Sequence, residues 1–147
     1  MTDPKAEADK EALKAWYKEA LDAVVKEMIR IGAVKGAAVE ATPVWAAPEQ
    51  VLIAKVWPAT QKRNFIWTIS GNGAVTDHVA GSLASTPRDV ARHFSLKWQV
   101  DAERLLNLAK SRAPDANTRT NVEAYAHKMI QNAEALYDLV SRDEGWV

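Results

Sequence analysis

The chain of 147 residues contains no cysteine. That excludes disulfides, thiolate nucleophiles and cysteine-ligated zinc. No apolar run approaches the ~20 residues that cross a bilayer. The opening stretch, MTDPKAEADKEALK, is polar and acidic and lacks the apolar centre of a secretory signal. The expected address is the cytoplasm. Net charge is missing too, because 19 Lys/Arg balance 19 Asp/Glu. This argues against nucleic-acid binding driven by a whole-chain positive field. There is no glycine-rich phosphate loop, no His-Glu-x-x-His helix and no Ser-His-Asp order. No cofactor, metal or catalytic residue is therefore expected, and the balance leans away from an enzyme.

The residues that are present describe one ordinary domain over residues 1–147. A hydrophobic fraction of 48% with 26% charged residues is globular rather than disordered. A chain of this length buries roughly two thirds of its unfolded surface. Charge is unevenly spread: residues 62–112 hold eight Lys/Arg against four Asp/Glu, and residues 113–147 hold three against six. A basic middle of this size is more often a solvated face than a binding surface.

Apolar spacing of three and four residues predicts a helix over 4–31, with Asp3 as cap, Pro4 at the first position and Gly32 as stop. Its apolar face reads Leu13, Trp16, Tyr17, Leu21, Val24, Val25, Met28 and Ile31. From 39 to 70 the period changes to two. Segments near 39–46, 51–57 and 64–70, separated by short turns, read as an antiparallel meander with Pro43 on an edge strand. In the last segment Phe65, Trp67 and Ile69 share one face, while Asn64 and Thr68 share the other. A fourth strand is expected through His78 and Val79. Thr86-Pro87-Arg88-Asp89 then starts a helix over 86–110, with Asp89 placed to answer the Thr86 cap. Asp115 or Asn117 caps a last helix over 117–140. The expected class is α+β, in the order α-β-β-β-(β)-α-α: a three- to four-stranded antiparallel meander with three helices packed on one face. Residues 1–10 and 142–147 are expected to fray.

The segments Trp67-Thr68-Ile69-Ser70-Gly71, Thr76-Asp77-His78-Val79, Ala91-Arg92-His93-Phe94-Ser95-Leu96-Lys97-Trp98-Gln99 and Ala133-Glu134-Ala135-Leu136-Tyr137-Asp138-Leu139 resemble an uncharacterised bacterial domain-of-unknown-function family. Members of that family carry a proline before the Thr-Asp-His, where Ala74 and Val75 stand here. The resemblance implies a bacterial, cytoplasmic protein and brings no activity with it.

The polar residues that invite chemistry are Asp77, His78, Ser85, Arg88, Arg92 and His93, a candidate ligand-binding set at one loop and helix start. Asp77 beside His78 suits an oriented imidazole, but neighbours on a strand point to opposite faces. The plain alternative has Asp77 capping backbone amides. Asp89 and His93 share a helical face, yet their spacing matches no metal motif. Arg88 and Arg92 near a helix N-terminus suit an anion, or else are solvated. Of the six tryptophans, Trp16, Trp67 and Trp98 fall on inward faces. Trp45, Trp57 and Trp146 stand at strand ends or in the tail and are candidate protein-interaction residues, unless they fold back over the sheet edge. His127 lies four residues after Glu123, where a surface pair would explain it. The reading is a small protein-binding module (an adaptor, regulator or toxin-neutralising partner) with another protein as partner, and neither nucleic acid nor membrane. The alternative is a small-ligand or anion-binding protein or enzyme with its site between Asp77 and His93.

Overall fold

Asp3 starts the first helix: its carboxylate accepts the Lys5 amide at 3.1 Å, and Pro4 occupies the first helical position, where no donor is needed. The structure, a computed structural model, describes residues 3–36, 38–112 and 114–146. Helix α1 runs Pro4–Arg30. It stops where Gly32 adopts φ 76°, a left-handed conformation, and the Gly32 and Ala33 amides close on the carbonyls of Ile29 and Met28 at 3.1 and 2.9 Å. Of the ends expected to fray, residues 4–10 are helical, and residues 1, 2 and 147 lie outside the described residues.

Four strands follow: β1 Val39–Ala47, β2 Val51–Pro58, β3 Ile66–Ser70 and β4 Asp77–Ala80. They form one antiparallel sheet in the order β1-β2-β3-β4, the meander that the period of two predicts. Pro43 lies on edge strand β1, and the register shifts between Pro43 and Trp45, leaving Val44 as the extra residue of a bulge. Strand β3 begins later than the expected Asn64. Residues Lys62–Asn64 form a single 3-10 turn, in which Asn64 Nδ2 donates to Gln61 Oε1 at 3.0 Å.

Contacts divide the chain into two compact units, residues 1–85 and 86–147. In the first, α1 covers the sheet face that carries Ala41, Val56 and Ile66. Val24 and Met28 of α1, with Val34 beyond its end, close a core on Val56. Only the later turns of α1 are buried. A helix of 27 residues is ~40 Å long, whereas the nine residues of the longest strand span ~30 Å and four strands ~4.8 Å apart under ~20 Å, so the helix extends past the sheet in whichever direction it lies. Leu13 is accordingly exposed. Trp16, expected in the core, is half-buried with its ring 5.2 Å from Tyr17 in an edge arrangement. Ile31, past the last turn, is exposed as well.

The sheet does not keep one polar face. Thr68 and Ser70 are buried, and so are Trp67 and Ile69 on the other alternation of β3. On β2, Leu52, Ala54 and Val56 are buried together with Val51, Ile53 and Trp57. Thr68 tolerates this because its Oγ1 donates to the Ala54 carbonyl at 3.2 Å.

The second unit is a helical hairpin of α2, Pro87–Arg112, and α3, Ala116–Ser141. Thr86 caps α2, its Oγ1 accepting the Asp89 amide at 3.1 Å. The Asp89 carboxylate does not answer the cap but takes Arg92 at 3.1 Å. Asp115 caps α3 by accepting the Thr118 amide at 2.7 Å, and that bond holds its carboxyl below the usual carboxylate range. Val90, Ala91, Phe94, Trp98, Ala102 and Ala109 are the buried residues of α2's apolar stripe. Ala126, Met129, Ala133, Leu136 and Val140 are their counterparts on α3. Tyr125 and Tyr137 share the three- and four-residue spacing of these buried residues but are exposed at the margins of the face, where a hydroxyl can meet water.

Trp98 is fully buried and stacks on Phe94, with 5.6 Å between ring centroids. Trp98→Ala is expected to cost ~3–5 kcal/mol in urea unfolding. A loss under ~1 kcal/mol would mean that the ring is not a core element.

Candidate functional site: a basic cleft walled by aromatic rings

Lys55 is the one charged residue of β2, in a strand otherwise buried along most of its length. In the register it stands opposite Thr42 of β1 and Trp67 of β3. Its Nζ lies 4.6 Å from the centre of the Phe65 ring and 4.9 Å from that of Trp67. These distances fit a cation held on aromatic faces. The rings are themselves fixed: Phe65 meets Trp67 edge-on at 5.7 Å, and Trp67 Nε1 donates to the carbonyls of Gly81 and Ala84 at 3.3 and 3.0 Å. Two residues along β2 on the same face is Trp57. The 3-10 turn after β2 brings Lys62 back so that its Nζ sits 5.4 Å from the Trp57 ring.

The result is a cleft of about 730 Å³ lined by Thr42, Lys55, Trp57, Lys62, Arg63 and Phe65. Three cations converge there, and no carboxylate is among the lining residues. Among the described residues none of the three forms an ion pair. The cleft can hold an anion against aromatic walls. Trp57, named from sequence, belongs to it, though only 7% of its surface is exposed. Lys55 is not among the residues that the sequence singles out, and Phe65 is read there only as sharing a strand face with Trp67 and Ile69. The available signal was a lysine inside an otherwise apolar strand, but its meaning depends on which residues the neighbouring strands place opposite it.

The residues singled out by sequence are placed differently. Asp77 and His78 open β4, a regular strand, so their side chains leave opposite faces. Asp77 Oδ1 accepts the His78 amide at 2.8 Å, the backbone-capping alternative. Ser85 is exposed at the end of the first unit. Arg88 is committed within the hairpin: Nε and Nη2 donate to the Val140 carbonyl at 3.1 and 2.7 Å, and Nη2 also reaches the Arg142 carbonyl and Asp143 Oδ1, both at 3.1 Å. It satisfies carbonyls that the end of α3 leaves without helical partners. Trp146 also binds this end of the helix, its Nε1 donating at 2.9 Å to the Leu139 carbonyl, which accepts the Arg142 amide as well. Arg92 pairs with Asp89, and half-buried His93 lies edge-on to Phe94 at 5.3 Å. Trp45 is half-buried, opposite Ile53. Glu123 takes Arg119 at 2.9 Å rather than His127. Among the described residues no three His, Asp or Glu side chains gather as a metal site would require. No helix among them is long and apolar enough to cross a membrane.

The chain belongs to the family described as Domain of unknown function (DUF4826), whose model matches residues 10–146. No curated protein and no solved structure matches it.

Arg88→Ala should cost ~1–3 kcal/mol of stability, because it strips charge-assisted donors from carbonyls at the end of α3. Asp143→Ala, at the solvent-exposed end of the same network, should cost under ~1 kcal/mol. Chemical denaturation of both variants checks the assignment. Equal losses would mean that the ion pair, not the carbonyl clamp, is what Arg88 supplies.

Proposed function

We propose that this member of the family is a small protein-binding module of the bacterial cytoplasm, and that it takes an acidic segment of its partner in the Lys55–Arg63 cleft. The observation that carries the reading is the convergence of three unpaired cations on aromatic walls. A carboxylate entering there meets Lys55 where water is partly excluded, so the attraction is screened less than on an open surface. Trp57 and Phe65 supply apolar contact beside the charge, the composition of an interface anchor. The cysteine-free composition supports the cytoplasmic address.

A second reading, a small-anion binder, has one observation in its favour: the cleft is of the size that small ligands occupy. An anion site or enzyme between Asp77 and His93 has less support, because Arg88 and Arg92 already hold partners within the helical hairpin.

The test is calorimetric titration of the full chain with a Glu-rich peptide, its Gln-for-Glu counterpart, inorganic phosphate and a DNA oligonucleotide. The Glu-rich peptide alone should bind, more weakly as salt rises, and Lys62→Glu with Arg63→Glu should weaken it on the order of tenfold or more. Both substituted residues are exposed, so the fold should be retained. Equal binding of the Gln peptide, or an unaffected double variant, would overturn the reading. Binding of phosphate without the peptide would transfer the cleft to the small-anion reading, and binding of the oligonucleotide alone would transfer it to nucleic acid.

A further inference from the structure

Helix α1 and the turn between β3 and β4 enclose another cleft, of about 670 Å³, lined by Trp16, Glu19, Glu27, Ser70, Asn72 and Thr76 among others. It lies on the α1-covered face of the sheet, opposite to the face that carries Lys55. Its charge is opposite as well, since two carboxylates line it and no cation does. Glu27 is already engaged: Arg30 Nε donates to it at 2.9 Å, and that hydrogen bond keeps its carboxyl below the ordinary value. Glu19 has no ion-pair or hydrogen-bond partner among the described residues. Of the α1 residues that line it between the acids, Val24 is buried in the core and Ala20 and Ala23 are too small to fill the space.

The opposite wall is held in place. Gly71 has φ 126°, and a Cβ there would come 2.3 Å from the Gln50 carbonyl oxygen. The Asn72 and Gly73 amides donate to the carbonyls of Glu49 and Gln50 at 3.2 and 2.8 Å. Asn72 and Thr76 are thus presented from a turn pinned to the β1–β2 connection. At the cleft floor Ser70 is only 8% exposed, and its Oγ is buried with no hydrogen-bond partner among the described residues. A buried hydroxyl without a partner is costly, and it turns about χ1 to meet any donor or acceptor that arrives.

We propose that this cleft binds a small alkylammonium compound. Glu19 is the counter-charge, Trp16 the aromatic wall and Ser70 Oγ the hydrogen-bonding group on the floor. An ammonium carries three donors and no acceptor, which suits a lining of carboxylate, hydroxyl and amide oxygens. An aromatic ring adds attraction for a cation and none for a neutral isostere. A divalent metal is less well served, because no three ligating side chains gather among the described residues.

The experiment is an amide and indole NMR titration of the full chain with 1,5-diaminopentane, and with 1,5-pentanediol as its neutral counterpart. Saturable shifts confined to the Trp16 indole and the Ser70, Asn72 and Thr76 amides are expected with the diamine only. Glu19→Gln, a conservative change at an exposed residue, should weaken binding on the order of tenfold, and Ser70→Ala should weaken it further. The Lys62→Gln, Arg63→Gln variant, which removes two cations of the basic cleft without adding a carboxylate, should bind the diamine as the native chain does, so this site stands or falls separately from the basic cleft. Absence of saturable shifts, the same response to the diol, or unchanged affinity after Glu19→Gln would overturn the proposal.

Discussion

A strand buried on both faces has no water to complete its hydrogen bonds, so it must lie between two others, and everything on it must be apolar or individually accommodated. In residues 1–85 that strand is β2. It pairs with β1 on one side and β3 on the other, and its side chains are buried on both alternations. One alternation, through Val56, is the floor on which Val24 and Met28 of α1 pack. The other holds the single charge of the strand, Lys55, which is accommodated on the rings of Phe65 and Trp67 rather than by a carboxylate. The rings in turn are placed by the tether from Trp67 to Gly81 and Ala84. The basic cleft is therefore a consequence of how β2 is buried.

A chain of zero net charge exerts little long-range field. It can still carry local fields of opposite sign when a sheet keeps them apart. The cleft with Lys55, Lys62 and Arg63 lies on one face, and the cleft with Glu19 and Glu27 lies on the other. Each is built from one helix or turn set against strands, so its sign follows from short segments rather than from composition. A balanced charge count thus argues against whole-chain steering but does not bear on a partly enclosed site, where screening is weak.

The helical hairpin shows how readily a polar residue near a helix start is taken for a ligand contact. Arg88 and Trp146 are far apart in sequence and both looked available. Both instead serve the end of α3: Arg88 donates to the Val140 carbonyl, which no later turn of helix can satisfy, and Trp146 donates to the Leu139 carbonyl alongside the Arg142 amide. Unmet backbone acceptors claim nearby donors, because leaving them unpaired where water is scarce costs more than a surface ion pair returns.

The sequence by itself determined the class, the order of elements and nearly every boundary. Periods of 3.6 and 2, a proline after each of the caps Asp3 and Thr86, a glycine at 32 and a third cap at Asp115 are local signals, and local backbone sterics and hydrogen bonding act on them directly. Burial of Trp67 and Trp98 was legible for the same reason, since each lies on an apolar face set by period alone. Tertiary structure decided the rest. That α1 overhangs the sheet and leaves Trp16 half-buried depends on the relative size of two elements, which no periodicity encodes. That Thr68 is buried depends on what covers its face. The candidate site depends on register: only the pairing of Lys55 with Thr42 and Trp67, and the return of a turn over Trp57, turns scattered residues into a cleft. Asp77 and His78, adjacent in sequence, are separated by the alternation of the strand that contains them. Neighbours along a chain share a backbone, whereas neighbours in a site share a face, and the face is set by strand pairing.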